Sequence, residues 1–127
     1  MKPYVRPVPA TWWLRRPSYF VFMMREFSSV FIAVYLVMFL VMIDRLALGP
    51  EAYGAYLEGL KSPLAILFHA VALAFALLHT ITWFQATPKA MPVWKGEERL
   101  PSAMLIVPNY VAWAVASAVI AWIVLGG

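Results

Sequence analysis

The chain has 127 residues, 64% of them hydrophobic and only 13% charged, whereas about a quarter of the residues of a soluble domain are charged. The formal net charge of +4 would raise nucleic acid as a partner for a soluble protein; here the charges flank apolar runs, so they are read through their placement at a membrane and no nucleic-acid partner is expected. The absence of cysteine excludes disulfides and thiolate-held zinc or iron–sulfur sites in this chain.

Residues 1–16 contain Pro3, Pro7 and Pro9, which do not fit a regular helix. They also lack the apolar core and cleavage site of a secretory signal. Trp12 and Trp13, followed by Arg15 and Arg16, read as an interfacial segment at the cytoplasmic headgroup level, or as a peripheral tail packing on a partner. Pro17 suits the first turn of a helix. Beyond Arg25 and Glu26 no charge appears from Phe27 to Ile43, and a span of about 20 residues crosses the roughly 30 Å hydrocarbon layer. Asp44 and Arg45 mark its far end, and Gly49-Pro50 breaks it.

The connection from Glu51 to Ser62 suggests a short amphipathic helix, with Tyr53, Tyr56, Leu57 and Leu60 on one side. Pro63 opens a second span that is expected to run to about Thr87, before Pro88. Lys89 to Arg99 reads as a polar loop. Pro101 opens a third span, with Pro108 predicted to kink it. Small residues four apart, Ala70/Ala74, Ala72/Ala76, Ala114/Ala118 and Ser117/Ala121, either permit close helix approach or simply reflect alanine-rich helices. The expected fold is therefore an all-α integral membrane protein: an interfacial segment over 1–16, then a three-helix anchor over 17–127 with spans at about 25–46, 64–87 and 103–125.

Eight of the ten lysines and arginines (Lys2, Arg6, Arg15, Arg16, Arg25, Lys89, Lys95 and Arg99) fall on one side of these spans. Arg45 and Lys61 fall on the other. The positive-inside rule puts the N-terminus in the cytoplasm and the C-terminus outside.

Polar groups within spans are costly and are functional candidates. The first span runs outward and the second returns, so Arg25 and Glu26 share a level with the C-terminal part of the second span. Trp83 lies about 6 Å and His79 about 12 Å from Thr87 along the axis. His79 and Trp83 are also four residues apart, on one helix face. Arginine, imidazole and indole N–H groups suit the oxygens of a quinone, and a carboxylate can take the proton that accompanies each electron. Each residue has an alternative role: Arg25 and Glu26 as an interfacial ion pair, Trp83 as a belt residue, His79 as a packing group. His69 and His79 stand about 15 Å apart on one helix and cannot clamp one haem, so no haem is expected. His69 is expected to be a buried polar group bonded to a neighbouring helix. No phosphate-binding loop, dinucleotide fingerprint, HExxH pair or internal repeat is present.

Several segments, in order, resemble the C subunit of bacterial quinol:fumarate reductase, the membrane anchor of a complex II relative. They are Lys2-Pro3-Tyr4-Val5-Arg6-Pro7, Thr11-Trp12-Trp13, Met24-Arg25-Glu26, Gly49-Pro50-Glu51-Ala52, Leu77 to Phe84, and Ala86-Thr87-Pro88-Lys89-Ala90. The third span matches in character only. The resemblance implies a bacterial inner-membrane protein of anaerobic electron transport. It implies pairing with a second three-helix anchor (the D subunit), beneath an iron–sulfur protein (the B subunit) and a flavoprotein (the A subunit), with lipid around the spans. It also implies a menaquinone site shared with the partner subunits and no haem, iron–sulfur cluster or flavin in this chain. The family's Arg-Glu pair matches Arg25 and Glu26, and its His and Trp match His79 and Trp83. These four are the expected quinone-binding residues, with Glu26 as proton acceptor. Ile81, Gln85 and Ala86 depart from the family pattern, and His69 belongs to no family motif. The remaining classes are a purely structural anchor, a haem-b-binding cytochrome subunit of a succinate dehydrogenase-type complex, and a transporter subunit. The lack of a charge in the middle of any span disfavours a transporter.

Overall fold

A computed structural model describes residues 3–127; Lys2, used above in the charge count and in the resemblance, lies outside the described residues. Among these, three helices are long and apolar enough to cross a membrane: α1 (Pro17–Leu48), α3 (Pro63–Ala90) and α4 (Ser102–Leu125). The chain is an all-α, multi-pass membrane protein. A ten-residue helix, α2 (Pro50–Gly59), joins α1 to α3, and a short antiparallel hairpin, β1 (Trp94–Lys95) with β2 (Glu98–Arg99), precedes α4. The molecule forms two compact units, one ending at His79 and the other running Thr80–Gly127.

In the first unit, residues 12–14 form a single 3-10 turn, the one regular piece in an otherwise irregular lead-in. It is seated by two ring pairs, Trp12 edge-on to Tyr19 at 5.6 Å and Trp13 stacked on Phe20 at 6.0 Å. Pro17 opens α1 after an extended Arg16. The 32 residues of α1 measure about 48 Å, which exceeds the hydrocarbon thickness and leaves turns at its ends for the interface. Gly49 ends it at φ 116°, a conformation glycine adopts without a Cβ penalty, and the chain reverses there. The expected helix follows. It folds back on α1, and the Tyr56 hydroxyl donates to the Met38 carbonyl at 2.9 Å. Tyr53, Tyr56 and Leu60 are half-buried as the sequence pattern requires, whereas Leu57 faces outward.

Ser62 caps α3, its hydroxyl accepting from the Ala65 N–H at 3.3 Å, with Pro63 in the first turn. The contact between α1 and α3 is an aromatic ladder. Phe27, Phe31 and Tyr35 recur every fourth residue on α1 and meet Phe75 and Phe68 on α3. Phe31 stacks on Phe75 at 4.6 Å; Phe27 lies 5.6 Å from Phe75, and Tyr35 5.9 Å from Phe68. Between the rings, small residues let the helices close up: Ser28 is 1% exposed and Ala72 3%. Of the alanines singled out on this helix, Ala72 alone is buried. Most of the other apolar side chains are exposed, as a lipid solvent permits.

In the second unit, α3 does not stop at Thr87 but carries Pro88 within it and ends at Ala90. A proline one turn from a helix end removes a single backbone bond, and the Met91 N–H still reaches the Thr87 carbonyl at 2.8 Å. The Pro88 carbonyl, one of those left over at the helix end, accepts from the Arg99 guanidinium at 2.5 Å. The segment from Lys89 to Arg99 is therefore not only a loop. Its hairpin turns at Gly96, whose φ of 67° suits the first central position of a two-residue turn. Pro108 lies inside α4 without ending it. Phe84 packs edge-on to Tyr110 at 5.0 Å, with Trp113 at 6.3 Å, tying the end of α3 to α4.

Candidate functional site

The ladder fixes the register of α1 against α3. Phe27 opposite Phe75 and Tyr35 opposite Phe68 describe antiparallel helices, so the turn of α1 just before Phe27 lies level with the residues just after Phe75. Arg25 and His79 occupy those turns, and a direct contact joins them. Ser28 Oγ lies 2.8 Å from His79 Nδ1 and donates to the Arg25 carbonyl. A serine hydroxyl bonding a carbonyl one turn back is a common helical arrangement. Here it places one buried oxygen between the backbone of Arg25 and the ring of His79.

The Arg25 side chain is 21% exposed, its guanidinium 5.0 Å from the centroid of the Phe22 ring and 3.5 Å from Glu26 Oε1. The Glu26 side chain is 58% exposed, so its carboxylate stands at the surface of the unit rather than in it. An adjacent pair at 3.5 Å with one exposed member gains little from the ion pair alone. The Ser29 hydroxyl donates to the Glu26 carbonyl at 2.6 Å, so both serines after the pair bond back to it.

Two apolar grooves, each of about 350 Å³, border this turn. One is lined by Ser28, Phe31, Ile32, Tyr35, Ala72, Leu73 and Ala76 and runs along the contact of α1 with α3; the other is lined by Trp13, Met23, Met24, Phe27 and Phe75.

Trp83 belongs to the second unit, on the same helix four residues beyond His79. It is 59% exposed, and its backbone carbonyl accepts from the Thr87 hydroxyl at 3.0 Å. Of the four residues expected to form a site, the first unit thus brings Arg25, Glu26 and His79 to one level.

Ser28 is the residue that the sequence reading missed. A lone serine in an apolar run carries little signal. The signal available was its position one residue after Phe27, in a ladder whose register pairs it with His79.

His69 differs from expectation. Its Nδ1 lies 2.6 Å from the Ala65 carbonyl, so it bonds its own helix and not a neighbour. Its ring also meets Tyr35 edge-on at 5.4 Å. Among the described residues no group of three or more histidine, cysteine, aspartate or glutamate side chains is placed to hold a metal ion.

The family model for the C subunit of fumarate reductase matches residues 1–125. Curated fumarate reductase C subunits of Mycobacterium tuberculosis, from strains ATCC 25177 / H37Ra and ATCC 25618 / H37Rv, are each 36% identical to the chain over 125 residues. The match covers 98% of this chain and 99% of each relative.

Proposed function

The chain belongs to the family of fumarate reductase C subunits, and on that premise we propose that it is a membrane anchor subunit of a quinol:fumarate reductase that contributes part of the menaquinol oxidation site. Its partners are a second three-helix anchor in the membrane and an iron–sulfur subunit and a flavoprotein on the cytoplasmic face. The spans lie at about residues 25–46, 64–87 and 103–125 in the bacterial inner membrane, with residues 1–16 at the cytoplasmic surface and the C-terminus outside.

The observation that carries the site reading is the meeting of Arg25 and His79 through buried Ser28, beside the Glu26 carboxylate. The donor set fits a quinol ring. A guanidinium, an imidazole and an indole N–H hold two ring oxygens, and a carboxylate takes a proton. The groove from Ser28 to Tyr35 has an apolar lining that suits the first part of an isoprenoid chain. Arg25, His79 and Trp83 orient the ring. Glu26, exposed on the cytoplasmic side, accepts the proton released on oxidation and returns it to water. The iron–sulfur centres and flavin of the partner subunits supply the electron path to fumarate.

Glu26→Gln in the assembled complex tests this. The variant keeps size and polarity but removes the base, and general-base contributions of about 10²–10⁴-fold set the scale of the loss. Quinol-driven fumarate reduction should fall by at least about 100-fold. Fumarate reduction by a reduced viologen dye, which bypasses the membrane, should stay at the wild-type rate. If both rates persist, Glu26 is only an ion-pair residue and the chain is a structural anchor.

A further inference from the structure

We propose that Ser28 is a positioning residue that holds His79 in one tautomer, with the proton on Nδ1 and the acceptor lone pair on Nε2; this rests on the quinol site described above. A serine hydroxyl has one hydrogen, and a carbonyl oxygen has none. Ser28 Oγ bonds the Arg25 carbonyl, which can only accept, so the hydroxyl hydrogen lies there. The same Oγ is 2.8 Å from His79 Nδ1. With its hydrogen committed, the oxygen has only lone pairs to offer, and Nδ1 must carry the proton. In a neutral imidazole Nε2 is then the acceptor.

Burial makes the arrangement persistent. Ser28 is 1% exposed, so water does not compete for either bond. An unmade bond at such a site leaves a polar group stranded in an apolar contact. The Phe27–Phe75 and Phe31–Phe75 ring pairs hold the helices at this spacing on the adjacent turns. The consequence is chemical. A reduced quinone ring presents O–H donors, and a histidine fixed with its proton on Nδ1 presents an acceptor to one of them. The same lock disfavours hydrogen-bond donation by Nε2 to the carbonyl of the oxidised ring, so His79 discriminates in favour of quinol.

The test uses the full chain labelled with ¹⁵N-histidine in lipid bilayers. The two histidine signals are assigned with His79→Gln and read at alkaline pH. Wild type should show Nδ1 protonated for His79. Ser28→Ala, which removes one oxygen and adds no bulk, should move the proton to Nε2 or give a mixture. Ser28→Thr keeps the hydroxyl and should restore the wild-type pattern. In the assembled complex Ser28→Ala should raise the quinol KM about 3- to 10-fold, the scale of one hydrogen bond, with the viologen-driven rate unchanged. A wild-type ring protonated on Nε2, or a pattern indifferent to Ser28→Ala, overturns the proposal. A tautomer that shifts while the quinol KM does not supports the lock and overturns the quinol role of His79.

Discussion

Phe31→Ala separates two ways in which α1 and α3 can be held together. In water, truncating a buried phenylalanine costs about 3–5 kcal/mol, mostly through lost transfer free energy and the cavity left behind. In a bilayer the transfer part drops out, because lipid tails are as apolar as the ring. Ring–ring contact remains. Phe31 stacks on Phe75 at 4.6 Å and lies 5.9 Å from Phe68, both across the helix contact. At about 0.5–1.5 kcal/mol for each pair, the expected cost is about 1–3 kcal/mol. Phe31→Leu keeps most of the bulk and loses the rings, so it should fall between wild type and alanine. The assay is an unfolding titration of the full chain in mixed micelles, moving from mild detergent to dodecyl sulfate. A loss below about 0.5 kcal/mol would refute the ladder as the force that sets the register. A loss above about 4 kcal/mol would mean that water reaches the contact and the transfer term still operates.

Tyr56→Phe removes the bond to the Met38 carbonyl and should cost about 0.6 kcal/mol, the usual worth of a polar contact between membrane helices, with faster amide exchange confined to α2 and the end of α1. Arg99→Ala strands the Pro88 carbonyl at the end of α3 and should cost about 1–3 kcal/mol locally, read as faster amide exchange over residues 88–100. Gly96→Ala forces a Cβ into a φ of 67° and should destabilise the hairpin by about 1–2 kcal/mol, seen as faster proteolysis between Val93 and Leu100 without loss of helicity. His69→Phe leaves the edge contact with Tyr35 available and lies outside the proposed site, so quinol-driven turnover should be unchanged.

The helical organisation was readable because its signals are long and redundant. Three apolar runs, each in a helix opened by a proline and the first free of charge only beyond Glu26, have few other solutions in a bilayer. Gly49-Pro50 and the Tyr53/Tyr56/Leu57/Leu60 pattern were enough to place α2, although Leu57 faces outward. The same local rules failed at Pro88, where a proline that usually ends a helix sits so near the terminus that it breaks only one bond, and where distant Arg99 satisfies the freed carbonyl. They failed at residues 94–99, whose charged two-residue strands carry no apolar alternation. Depth along antiparallel spans of known rise leaves little freedom, and it grouped Arg25, Glu26, His79 and Trp83 in one layer. It was blind to Ser28, since which face of α1 meets α3 depends on the aromatic ladder and not on depth. His69 was misread because a carbonyl of its own helix, that of Ala65, lies within reach of its ring.

The central claim is that this chain helps to form a quinol site at the turn that joins Arg25, Glu26 and His79. Photolabelling of the purified complex with an azido-quinone, followed by peptide mapping, tests it most directly. The account predicts label on the peptides carrying Met23–Ser28 and His79–Phe84 of this chain, reduced when unlabelled menaquinone analogue is added in excess. Label confined to the partner subunits, with this chain unmarked, would contradict it and leave the chain as a structural anchor alone.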